Sequence, residues 1–127
     1  MNLHWRRNGF RLSYQIILAL VPEIDPLSEV EVGFVEDGIR TKTTKPNFRV
    51  TGIRCGSHWV EMIADVDPGT DPTKAIANVK ADITARIQSY RGDATSIWIP
   101  GYVISTIGVS VDAQEAAQEL QARQGRK

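Results

Sequence analysis

The sequence predicts an α+β protein: a mainly antiparallel sheet of about six to seven strands, one long amphipathic helix packed on it, and a short C-terminal helix. Three observations predict that class. Apolar and polar residues alternate over several short runs, which is the period of a strand. From Asp71 to Gly92 the apolar residues instead recur every three or four positions, the period of a helix. The strand-like runs also arrive in pairs around turn signals, which brings neighbours together antiparallel.

Leu12–Val21 sets Leu12, Tyr14, Ile16, Leu18 and Leu20 against Ser13, Gln15, Ile17, Ala19 and Val21. The second set is largely apolar too, so the run suits a central strand covered on both faces. The helical spacing Phe10, Tyr14, Ile17, Val21 competes with that reading, and Pro22 and Pro26 end the element. Glu29–Glu36 alternates Val30, Val32 and Phe34 with Glu29 and Glu31, and Asp37-Gly38 follows. That dipeptide is a type I′ hairpin signal, and the return strand through Lys42 would make Glu31 and Lys42 diagonal neighbours of opposite charge.

Phe48–Arg54 and Ser57–Val66 form a second hairpin around Cys55-Gly56, with His58, Val60, Met62, Ala64 and Val66 on one face. Asp67-Pro68-Gly69 stops it. Asp71-Pro72 then opens the long helix, an Asp to cap free N–H groups and a Pro whose missing donor costs nothing in the first turn. Its stripe is Ile76, Val79, Ile83, Ile87 and Tyr90, and Gly92 ends it. Thr95–Ile99 and Tyr102–Val111 read as two further strands, with Gly108 marking a bulge or close approach. Asp112 and Glu115 have capping-box spacing for a last helix, whose face of Ala113, Ala116, Ala117 and Leu120 is thin.

At 127 residues the chain suits one core, so residues 1–127 read as a single domain with an arm at 1–11 and a frayed tail at 121–127. Cys55 is the lone cysteine, which excludes an internal disulfide and fits a reducing, cytoplasmic setting. Arg6, Arg7 and Arg11 precede the apolar run Ile16–Val21, as in a signal peptide. The run is short, however, and Pro22-Glu23 stands where a small-residue cleavage site belongs. No apolar run approaches the ~20 residues that span a bilayer, so no membrane partner is expected.

Chemistry is sparse. Met62–Thr70 superficially resembles the first motif of haloacid-dehalogenase-type phosphotransferases, in which one aspartate is the nucleophile and a second the general acid/base. That pattern is D-x-D-x-T, and Asp65-Val66-Asp67-Pro68-Gly69-Thr70 has one residue too many. Asp65, Asp67 and Asp71 resemble a calcium loop only in part, because Gly69 falls at the fifth position rather than the sixth. Cys55 and His58 give one C-x-x-H, half a zinc site. Nothing implies a cofactor.

Charge is more informative in its distribution than in its sum. Fifteen basic and fifteen acidic residues cancel, so any polyanion site must be local. From Gly38 to Val60 there are five basic residues (Arg40, Lys42, Lys45, Arg49 and Arg54) and no acidic one. Arg6 and Arg7 lie among Trp5 and Phe10 in a second basic segment, and Trp59 follows the first.

With no catalytic constellation, the leading expectation is a non-enzymatic protein-binding or assembly module, of interaction, inhibitor, immunity or virion-assembly type, working on a protein partner or by self-association. The alternative is a nucleic-acid-associated domain using a basic strand hairpin and an Arg-rich N-terminal arm, through Arg6, Arg7, Arg40, Lys42, Lys45 and Arg49, with Trp59 on the same binding face. A third reading is a small enzyme or metal protein around Cys55 and His58 or Asp65 and Asp67.

Overall fold

A computed structural model describes residues 12–106 and 111–125. Their elements are β1 (Leu12–Ala19), α1 (Glu29–Lys42), β2 (Phe48–Cys55), β3 (Trp59–Val66), α2 (Pro72–Arg91), β4 (Val103–Thr106) and α3 (Ala113–Gly125). The four strands form one antiparallel sheet in the order β2-β3-β1-β4. Up to β4 the order is strand-helix-strand, strand-helix-strand, and β3 lies between β1 and β2, the split βαβ arrangement.

The α+β class holds, but the expected six to seven strands and single long helix are wrong: the described residues form four strands and three helices. The main cause is residues 29–42, expected as a hairpin and found as helix α1. A capping box starts it. Ser28 Oγ accepts from Glu31 N, and Glu31 Oε1 accepts from Ser28 N at 2.9 Å, so two free backbone donors are satisfied reciprocally. Glu31, Val35, Gly38 and Ile39 then recur at helical spacing and are buried. Gly38 is no turn residue here. A Cβ on it would meet Asp82 Oδ2 at 2.7 Å and Ile83 Cγ1 at 3.1 Å, so glycine lets α1 approach α2 closely. Glu31 and Lys42, expected as cross-strand neighbours, stand near opposite ends of α1.

Strand content is also lower beyond α2. Thr95–Ile99 makes one bridge, Leu20 to Trp98, with Val21 N donating to Ile97 O and Ile99 N to Ala19 O. Of Tyr102–Val111, Val103–Thr106 is strand, and Gly108 lies outside the described residues.

Elsewhere the local chemistry does what it predicts. β1 is central, and Ile16, Ile17, Leu18 and Ala19 are all fully buried, which requires cover on both faces. The 48–66 hairpin pairs Phe48 with Val66 and Cys55 with Val60, and a register shift between Val50 and Gly52 leaves Thr51 as the extra residue of a bulge. α2 begins at Asp71, whose carboxylate accepts from Thr73 N at 3.0 Å, and ends at Gly92 in the left-handed region (φ 66°).

Two cores lie on opposite faces of the sheet. On one face Ile16, Leu18, Val60 and Met62 meet Val35 and Ile39 of α1 and Val79, Ile83 and Ile87 of α2. On the other, Ile17, Ala19 and Ile99 meet Ala113, Ala116, Ala117 and Leu120 of α3. Each fully buried Ile, Leu or Val stabilises by about 1.5–3 kcal/mol, so the first core dominates. α3 starts with Asp112 Oδ1 accepting from Glu115 N at 2.9 Å and continues past Gln121, whose Nε2 donates to Leu20 O.

Candidate functional site

Alternation along each strand divides the residues between the two faces. α3 covers one end of the second face and leaves polar side chains along the rest. Three cross-strand pairings set this surface: Arg49 with Asp65, Arg54 with Glu61, and Ser13 with Asp65.

Arg54 and Glu61 form a bidentate pair, Nε to Oε1 at 2.6 Å and Nη2 to Oε2 at 2.9 Å. Glu61 is buried while the Arg54 side chain is 66% exposed, so the carboxylate lies beneath and the cation faces outward. The Arg54 hydrogen bonds hold the Glu61 carboxyl below the usual glutamate range against the opposing effect of burial, and Gln15 adds to the lowering. Arg54 also lies over the Trp59 ring, 5.8 Å from its centroid. Gln15 is fully satisfied. Its Nε2 donates to Glu61 Oε2 and Val111 O, both at 2.7 Å, and its Oε1 accepts from Val111 N and Ser105 Oγ. Toward the far end Ser13 donates to Asp65 Oδ1 at 2.6 Å, and Arg49, 64% exposed, stands 3.8 Å from Asp65 Oδ2.

A second basic cluster lies where α1 runs into β2. Lys42 ends α1, Lys45 follows in the loop, and Lys74 comes from the first turn of α2. The three are exposed, and with Asn47, Thr70 and Asp71 they line a cavity of about 140 Å³. None of these lysines forms an ion pair among the described residues.

The predicted site residues therefore separate. Lys42 and Lys45 come together, and Lys74 joins them from across the fold. Arg49 lies on the second sheet face with Arg54 and Trp59. Arg40 is exposed in the last turn of α1, so the basic strand hairpin expected from Arg40, Lys42 and Arg49 is replaced by a helix end, a loop and a strand. Arg6 and Arg7 lie outside the described residues. Arg54 and Lys74 are candidate site residues that the sequence does not single out. Arg54 was visible in the charge run, whereas Lys74 had no sequence signal, because the fold alone brings it to Lys42.

The other motifs have structural roles. Burial, with Glu36 adding, pushes the Cys55 thiol up to about 11. His58 bonds through Nε2 to Ile24 O at 2.8 Å and so holds the loop after β1. Asp67 closes a turn, its backbone N donating to Asn47 O and its O accepting from Thr70 N, while Asp71 caps α2. Among the described residues no group of three or more His, Cys, Asp or Glu side chains is placed to hold a metal ion. No helix among them is long and apolar enough to cross a membrane.

The class this architecture defines is the four-stranded split βαβ fold carrying an additional helix on the second sheet face. Two solved structures named as transposases share it. A protein of Deinococcus radiodurans R1 named as a transposase superposes with a TM-score of 0.66 over 92% of each chain at 16% identity. A REP-associated tyrosine transposase bound to a REP hairpin superposes with a TM-score of 0.59, covering 86% of this chain and 62% of that one at 12% identity. No family model and no curated protein matches the sequence. These neighbours overturn the leading expectation of a protein-binding or assembly module.

Proposed function

We propose that the chain is a DNA-associated domain that binds nucleic acid along the β2 edge of its sheet. The observation that carries the reading is a chain of exposed cations: Lys42, Lys45, Arg49 and Arg54 follow one another from the end of α1 along edge strand β2, and Lys74 stands beside the first two. Phosphate oxygens are the natural partners of such a line: Lys42, Lys45 and Lys74 have no acidic partner among the described residues to give up, while Arg49 and Arg54, though paired with Asp65 and Glu61, keep their side chains mostly exposed. Arg40, Arg6 and Arg7 extend the same proposal from α1 and from the N-terminal arm. Likeness to transposases, one of them bound to a hairpin, supports DNA as the partner class. Cytoplasmic placement belongs to this reading and rests on the lone cysteine.

Fluorescence anisotropy of a labelled DNA hairpin, titrated at salt between about 50 and 200 mM, tests it. Binding is expected to weaken steeply with salt, and K42E/K45E to lower the log–log slope by about two, one for each phosphate contact removed. Binding that ignores salt, or a double variant indistinguishable from the parent, overturns the proposal.

A further inference from the structure

Beside Trp59 a cavity of about 270 Å³ lies between the β2–β3 turn and α3. Its walls differ from those of an apolar pocket. The Trp59 indole lines one side, Gln114 and Gln118 line another, and His58 and Gln121 are already committed to backbone carbonyls. The side chains of Gln114 and Gln118 make no hydrogen bond among the described residues, nor does Trp59 Nε1 donate to an acceptor there. Each primary amide offers a donor pair and an acceptor, and the indole adds one donor and a flat apolar ring.

Trp59 is held in place from two directions. Gly56 has no side chain, and a Cβ there would stand 2.1 Å from Trp59 Nε1 and 2.2 Å from its Cε2, so the indole lies directly against the turn. Arg54 lies over the ring and is itself fixed by Glu61. A ligand matching this wall needs a flat π-surface to pack on the indole, mixed donors and acceptors on its edge for the two amides, and an anionic group for the nearby guanidinium.

We infer that this cavity receives one unpaired nucleobase, with the adjoining phosphate on Arg54. The inference deepens the DNA reading above and rests on it. It makes the protein a reader of single-stranded or looped DNA, since a base inside a duplex presents neither its face nor its pairing edge.

The test uses the full chain and two probes. Deoxynucleoside monophosphates are added while the indole N–H resonances of the protein are followed by NMR, with Trp59 assigned by W59F. In parallel, binding of a hairpin with an unpaired loop is compared with binding of a blunt duplex, for the parent, W59A and Q114A/Q118A. The double glutamine variant alters exposed helix positions where alanine favours helix, so it stays folded if W59A does not. Expected are a shift of the Trp59 resonance and hairpin binding weakened about fivefold to a hundredfold in W59A, the range for one lost base–aromatic stack, with duplex binding unchanged. Q114A/Q118A is expected to lose the distinction between the four monophosphates. Salt-sensitive hairpin binding with a silent Trp59 and indifferent variants overturns the inference and leaves the DNA reading standing. Absence of any DNA binding together with a silent Trp59 overturns both.

Discussion

Gly56 and Trp59 show how one missing side chain can fix another. The distances from a would-be Cβ at Gly56 are well inside van der Waals contact, and the groups it would meet belong to a rigid ring rather than to the end of a flexible chain. G56A must therefore push the indole out of its place over the turn. The expected result is a loss of about 1–3 kcal/mol of stability in chemical denaturation, as for other overpacked sites, together with a changed Trp59 indole resonance. A variant with parental stability and an unmoved resonance would mean that the turn yields instead. Gln15 works by the opposite means: a long side chain holds both backbone groups of Val111 and thereby anchors the approach to α3 on the sheet.

Among the elements, α1 is the one whose sequence misleads, and the reason is specific. Val30, Val32 and Phe34 alternate by coincidence, and Asp37-Gly38 has the composition of a hairpin turn. The stronger signal was Ser28-x-x-Glu31, a capping box immediately before the buried series Glu31, Val35 and Ile39. β1, the β2–β3 hairpin and α2 were legible because their periodicity and their stop signals agree. The separate strands after α2 were not, since Ile97 and Ile99 are buried by a short bridge to the end of β1 rather than by a ladder. Of the site, the charge run gave Lys42, Lys45 and Arg49, but neither the pairing of Arg54 with Glu61 nor the arrival of α3 beside Trp59 has a local sequence signature.

Glu31 joins α1 to α2 as well as capping α1. Arg91 Nη2 donates to its Oε1 at 2.8 Å, and the same guanidinium reaches the carbonyls of Asp25 and Pro26. These hydrogen bonds from Arg91 hold the Glu31 carboxyl below its ordinary range, against burial. A carboxyl with a lowered pKa in the folded state adds stability above the unfolded value, about 4.3, and that stability is lost as pH falls through the folded value. E31Q is expected to cost about 1.5–3 kcal/mol at neutral pH, because Arg91, partly exposed and still bonded to the Asp25 and Pro26 carbonyls, loses its charged hydrogen-bond partner. It should also flatten the fall in stability on acidification below about pH 4.3. Denaturation midpoints at pH 7 and in acid measure both, and a variant as acid-sensitive as the parent would place the linkage elsewhere.

For the whole molecule, a sheet covered on both faces by unequal layers is the governing fact. α1 and α2 share a core of large aliphatic side chains and a buried ion pair. α3 is held by three alanines, one leucine, the Gln15 hydrogen bonds and Gln121. With so little apolar area beneath it, α3 should open well before the rest. Amide hydrogen exchange is expected to show α3 exchanging at a free energy clearly below that of β1 and α2, and equal protection in all three would refute this.

That inequality carries over to whatever occupies the cavity beside Trp59. Because α3 supplies one wall of it, an occupant binds only while the helix is docked, so occupancy and docking are thermodynamically linked. The weakest layer of the fold thereby becomes its gauge of occupancy: a bound nucleotide would be recorded as slowed exchange along α3, some distance from the atoms it touches.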